Sequence, residues 1–141
     1  MSNPLLEKWR NGQEPPIAKL IGFRLAGIEM DRAVVEFEPG PQHANPMGTL
    51  HGGVFCDVCD AAMGMAWVSG LREDETATTV ELKINFLRPV WGGKLIAEAR
   101  VLRRGRTVGY IECELRDEKD RLVAKASSTC MTLRGDQALG R

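Results

Sequence analysis

Two carboxylates, Asp57 and Asp60, lie in a stretch that is otherwise almost wholly apolar, GGVFCDVCDAAMGMAWVS from Gly52 to Ser69. A carboxylate among apolar groups is costly unless it is paired, hydrogen-bonded or neutralised. One reading is structural, with one Asp at an exposed edge and the other on a neighbouring backbone amide. The other is chemical, with a buried acid serving as base or nucleophile.

Three features favour chemistry. The stretch opens with His51-Gly52-Gly53, and the first amides of a helix lack internal partners and sit at the positive end of its dipole. Glycine lets a reacting group approach them closely, so the helix start is suited to hold an oxyanion. The neighbours of Asp60 are small, Ala61, Ala62 and Gly64, which leaves room beside the acid. Asp60 also follows Gly52 by eight residues, about 12 Å along a helix. One helix cannot bring both groups to one carbon. If they serve one reaction they come from two subunits, with antiparallel copies of the helix across a two-fold axis.

The elements that must position these groups follow from periodicity. Asn3-Pro4 caps a short amino-terminal helix that ends before Pro15-Pro16, and Ile17 to Ile21 add a second helical turn. Strands are expected at Phe23 to Glu29 and Ala33 to Phe37, joined by a turn at Met30-Asp31. Pro39 to Leu50 is a loop by composition. Gly52 to about Ser69 is the long helix, ended by Gly70. Beyond it the chain alternates with period two. Val80, Leu82, Ile84 and Phe86 are expected on one strand face, and Thr79, Glu81, Lys83 and Asn85 on the other. Three more strands follow, Lys94 to Leu102, Arg106 to Arg116 and Arg121 to Leu133, with a disordered tail from Gly135. The expectation is one α+β domain over residues 1–141, an antiparallel sheet wrapped around one central helix, with a helical extension over about residues 1–20.

Composition narrows the partners. Lys+Arg and Asp+Glu are both 19, so no basic field favours nucleic acid or anionic membranes. No run approaches a membrane span and the amino terminus carries no signal-peptide core, so a cytoplasmic location is expected. The four cysteines lie in apolar-patterned segments, which suits reduced thiols. Cys56-x-x-Cys59 has no second ligand pair, and buried packing is its simplest reading. There is no Gly-x-Ser-x-Gly elbow and no Cys/His arrangement to supply another nucleophile.

The stretch Asn45-Pro-Met-Gly-Thr-Leu-His51-Gly-Gly, with Asp60 nine residues after the His, resembles the hotdog thioesterases of the phenylacetate-pathway type and the related mammalian small acyl-CoA thioesterase. The similarity runs from about Ile21 to Leu133 and takes in Thr78 to Glu81, Phe86 to Pro89 and Arg104 to Thr107. It implies the hotdog fold and hydrolysis of an acyl-CoA to free acid and CoA, with no cofactor. By resemblance, Asp60 attacks the thioester or activates water, and the Gly52 N–H polarises the carbonyl. His51 and Asn45 orient substrate or water, and Thr79 helps hold the water. Arg103, Arg104, Gly105, Arg106 and Thr107 fall where relatives touch the CoA nucleotide, as guanidinium chemistry toward phosphate allows. The arginines, with Arg88 and Arg100, read equally as solvated strand-edge residues that discourage edge pairing. Asp57 receives no role. Family members are usually tetramers, dimers of hotdog dimers. Two other functions fit the pattern, a hydratase or dehydratase on the same fold and a non-catalytic acyl-CoA-binding module. Met63, Met65 and Trp67 are read as core, with the lining of an acyl pocket as the alternative.

Overall fold

The computed structural model describes residues 2–140. Asn3 caps α1 (Pro4–Arg10) by accepting from the Leu5 amide at 3.0 Å, and its own amide nitrogen donates to the carbonyls of Arg72 (2.6 Å) and Glu75 (2.9 Å). The cap thus also fastens the extension to the body. A second helix, α2 (Pro16–Ile21), starts on proline and ends at Gly22 in the left-handed region, φ 96°.

Strands β1 (Phe23–Glu29) and β2 (Arg32–Phe37) pair through the tight turn at Asp31, which holds φ 61°. A 3-10 turn (Pro41–His43) and the Asn45 loop lead into α3 (Gly52–Val68). Strands β3 (Thr76–Phe86), β4 (Leu95–Arg104), β5 (Val108–Arg116) and β6 (Leu122–Leu133) complete one six-stranded antiparallel sheet in the order β1-β2-β4-β5-β6-β3.

The helix α3 touches every strand. Val58, Cys59, Ala62, Met63, Ala66 and Trp67 are wholly buried against it, facing a sheet whose inner positions include Ala33, Ala97 and Ala99. Small side chains there let the helix lie close to the concave face. The exception to its wrapping is a stripe of Gly53, Asp57, Ala61 and Gly64, none of which is buried. No described helix is long and apolar enough to cross a membrane.

Three expectations change. Gly70 is not in the left-handed region; α3 ends on Ser69 in helical geometry. A Cβ on Gly70 would meet the Arg104 guanidinium at 2.6 Å, so a side chain there would have to shift Arg104. The tail expected to be disordered forms a 3-10 turn, Gly135–Ala138, with none of its residues buried; Arg141 lies outside the described residues. The third change concerns Thr79. The pairing of β3 with β6 slips between Thr79 and Glu81, leaving Val80 as an extra residue. The β-bulge reverses the alternation, so Thr79 (opposite Cys130) shares the helix-facing side with Leu82, Ile84 and Phe86, and not with Glu81 and Lys83.

Candidate active site

The bulge delivers Thr79 to the acid. Its hydroxyl donates to Asp60 Oδ1 at 2.9 Å, with the Cys130 sulfur 4.0 Å from the same hydroxyl. Asp60, Thr79 and Cys130 line one cavity of about 270 Å³ together with Asp57, Ala61 and Gly64. With Oδ1 engaged, the other carboxylate oxygen is left for a proton or a carbon. Burial pushes the Cys130 thiol above its usual range, and the hydroxyls of Ser128 and Thr79 only partly oppose this. A protonated thiol is a poor nucleophile, which leaves the Asp57 and Asp60 carboxylates as the candidate reactive groups of this cavity. Burial and the adjacent Asp60 also raise Asp57 above the ordinary carboxylate range.

The start of α3 forms a second, separate cleft, lined by Asn45, Gly52, Phe55, Phe86 and Arg88. His51 is the N-cap, its Nδ1 accepting from the Gly53 amide at 3.0 Å. An imidazole that accepts at Nδ1 carries its proton, when neutral, on Nε2, and the ring is exposed. The cap consumes the Gly53 donor and leaves the Gly52 N–H, which has no acceptor inside its own helix. The tip of the Phe86 ring comes close enough to Gly52 that a Cβ there would sit 3.0 Å from it.

Asn45 builds the loop before the helix. Its Oδ1 accepts from the amides of Met47 (3.0 Å) and Thr49 (3.1 Å), and its Nδ2 donates to the Thr49 hydroxyl (2.7 Å). Only one of its amide hydrogens remains for a ligand. His43, which sequence reasoning passed over, seats the same entrance. It is buried, accepts from the Gly40 amide through Nδ1 (2.8 Å), packs edge-on against Phe37 and takes the His51 amide on its carbonyl (2.9 Å). Nothing local marks it, because its partners come from the turn before it and a distant strand.

The arginine turn divides. Arg104, expected at a nucleotide, is committed to the carboxyl end of α3. It donates to the Trp67 carbonyl (2.8 Å) and to Asp31 Oδ1 (2.8 Å), and lies 4.0 Å over the Trp67 ring. A register slip at Leu102 in the β4–β5 pairing turns it inward, level with buried Gly109. Arg103, Arg106 and Thr107 are exposed, and the Gly105 amide closes the turn on the Val108 carbonyl at 3.0 Å. The structure therefore gathers Asp60 and Thr79 in one place, Asn45, His51 and Gly52 in another, and the arginine turn at the far end of the helix. Met65 lines the Asp60 cavity, whereas Met63 and Trp67 are core.

A family model described as the thioesterase superfamily matches residues 47–124, a span that includes Gly52, Asp60 and Thr79. The chain belongs to the thioesterase superfamily. A Saccharolobus solfataricus protein described as an esterase is 36% identical over 118 residues, covering 84% of each chain. The medium/long-chain acyl-CoA thioesterase YigI of Escherichia coli is 28% identical over 131 residues, covering 82% of this chain and 84% of its own. A solved Ralstonia eutropha thioesterase, described as phenylacetic acid degradation-related, superposes with TM-score 0.82 at 28% identity, covering 89% of this chain and 98% of the other. This thioesterase has the hotdog fold, its sheet curled around α3, and it is a thioester hydrolase.

Proposed function

We propose that the protein hydrolyses an acyl- or aryl-CoA to the free acid and CoA in a site shared by two subunits, with Asp60 as general base or nucleophile. The observation that carries this reading is the Thr79–Asp60 hydrogen bond beside a cavity, which orients one carboxylate oxygen and frees the other. In the general-base form, water attacks the thioester carbon while its proton passes to Asp60. The carbonyl oxygen gathers charge on the Gly52 N–H, the C–S bond breaks, and the CoA sulfur leaves with a proton from Asp60. In the nucleophilic form the Asp60 carboxylate attacks the carbonyl and the C–S bond breaks, releasing CoA as a thiolate that takes a proton from water. Water then hydrolyses the mixed anhydride to the free acid and regenerates the carboxylate.

Two features support a shared site. Asp60 and Gly52 open into different cavities of one chain. In addition, β3 is a sheet edge beside α3, and Val80, Phe86 and Leu87 on and after it are exposed. A long edge carrying apolar side chains is suited to pairing with a second copy. The resemblance extends the assembly to a pair of such dimers. At the far end of α3, Arg103 and Arg106 are the arginines free to meet phosphates of CoA.

The test is Asp60→Asn, which keeps the shape and removes basicity and nucleophilicity. Turnover of acyl-CoA should fall by about 10²–10⁴-fold with the circular dichroism spectrum unchanged. A folded variant retaining most of its turnover sinks the assignment.

A further inference from the structure

The cavity that holds Asp60 and Thr79 is also lined by Trp9, Pro15 and Ile17, from the amino-terminal extension. We propose that this extension walls the acyl subsite, and that Trp9 and Ile17 limit the acyl group to a single ring or a chain of medium length. The proposal rests on the thioesterase reading of Asp60. With the thioester carbon beside that carboxylate, this cavity is the space on the Asp60 chain open to the acyl group.

The lining suits such a ligand. Apart from the polar end at Asp57, Asp60 and Thr79, the walls are mainly apolar, with Phe23, Met65 and Val68 beside the extension. Gly64 opens the space further. It is an interior residue of α3, where glycine is less favourable than alanine, yet a Cβ there would meet nothing within 4 Å. The volume, about 270 Å³, compares with the roughly 150 Å³ cavity that accepts benzene. A ring with substituents or a medium chain fits this volume; a long chain exceeds it and meets the wall at Trp9.

The wall is fastened. Asn3, 2% exposed, ties α1 to the carbonyls of Arg72 and Glu75, while Leu6 and Ala18 are buried on either side of the loop that joins the two helices. Glu75 is itself held by the Arg72 amide (2.8 Å) and Arg134 (2.7 Å). Between these fixed points Trp9 packs on the core and Ile17 stays 45% exposed.

The experiment compares kcat/KM for hexanoyl-, benzoyl-, decanoyl- and palmitoyl-CoA in the wild type, Trp9→Ala and Ile17→Trp. The wild type should favour hexanoyl or benzoyl over palmitoyl. Trp9→Ala should raise the palmitoyl-to-hexanoyl ratio about tenfold or more, and Ile17→Trp should lower the decanoyl-to-hexanoyl ratio by a similar factor. Trp9 contributes to packing, so Ile17→Trp, at a half-exposed position, provides the reading if Trp9→Ala does not fold. Binding of non-hydrolysable thioether analogues of the same lengths, followed by calorimetry in an Asp60→Asn background, should show the same order. Unchanged ratios in both folded variants overturn the wall, as does a wild type indifferent to chain length. Should Asp60→Asn keep its turnover, the reading of the acid fails, while the calorimetric order still decides whether the extension bounds the ligand.

Discussion

At the scale of single residues, two acids three positions apart on one helix have different surroundings. Asp60 receives the Thr79 hydroxyl, whereas Asp57 is raised first by burial and then by the Asp60 charge. For a carboxylate raised in the folded state, the associated stability is fully present below the unfolded value, near 3.9. It is lost as pH climbs through the folded value. Asp57→Asn should therefore be more stable than the wild type at neutral pH, and that advantage should disappear as the acid is titrated below about pH 4. Urea midpoints measured across this range provide the check. The same variant should keep most of its turnover, since no group of the cavity depends on Asp57 for its orientation. If activity collapses there and survives in Asp60→Asn, the acids have been assigned the wrong way round.

At the scale of elements, the two ends of α3 are finished by different chemistry. His51 caps the start by occupying the Gly53 amide. Arg104 closes the other end by donating to the Trp67 carbonyl, where a cation complements the helix dipole. Truncating Arg104 to Ala should cost about 2 kcal/mol of folding stability, from the charged hydrogen bonds and the lost cover over Trp67. Its partners on the turn should behave otherwise. Replacing Arg103 and Arg106 by Ala should leave stability within about 0.5 kcal/mol and raise KM for acyl-CoA with little change in kcat. A short acyl thioester of N-acetylcysteamine, which lacks the nucleotide, should be hydrolysed equally by that double variant and the wild type. Equal damage on both substrates means these arginines do not meet the nucleotide.

At the scale of the molecule, neither cavity contains a complete constellation. A mixture of Asp60→Asn chains with chains damaged only at Asn45 tests whether two copies complete each other. In a hybrid dimer one of two sites inherits an intact Asp60 and an intact helix entrance. After random exchange of equal amounts, half the dimers are hybrids, so activity should recover to about a quarter of the wild-type level. Mass spectrometry verifies the exchange. Hybrids present in the expected share, with no recovered turnover, rule out a shared site.

Much of this was legible in the chain itself. Period-two alternation and the apolar helix located every strand and α3, because both patterns report which face meets the core. Most ends fall within two residues, although β3 starts three residues before the expected Thr79. The spacing from Gly52 to Asp60 already required two distinct places, since the rise of a helix is set by its hydrogen bonds. What alternation could not show was where it breaks. The extra residues Val80 and Leu102 lie in strands of unremarkable composition, and only the registers of β6 and β5 reveal them. Those slips decide that Thr79 faces the acid and that Arg104 turns inward onto Trp67. The wall made by Trp9 and Ile17 is equally nonlocal, because a helix near residue 10 reaches the cavity only once Asn3 meets the carbonyls of Arg72 and Glu75. Local spacing determined the elements and the candidate acid; strand register and long-range contacts decided which side chains share its cavity.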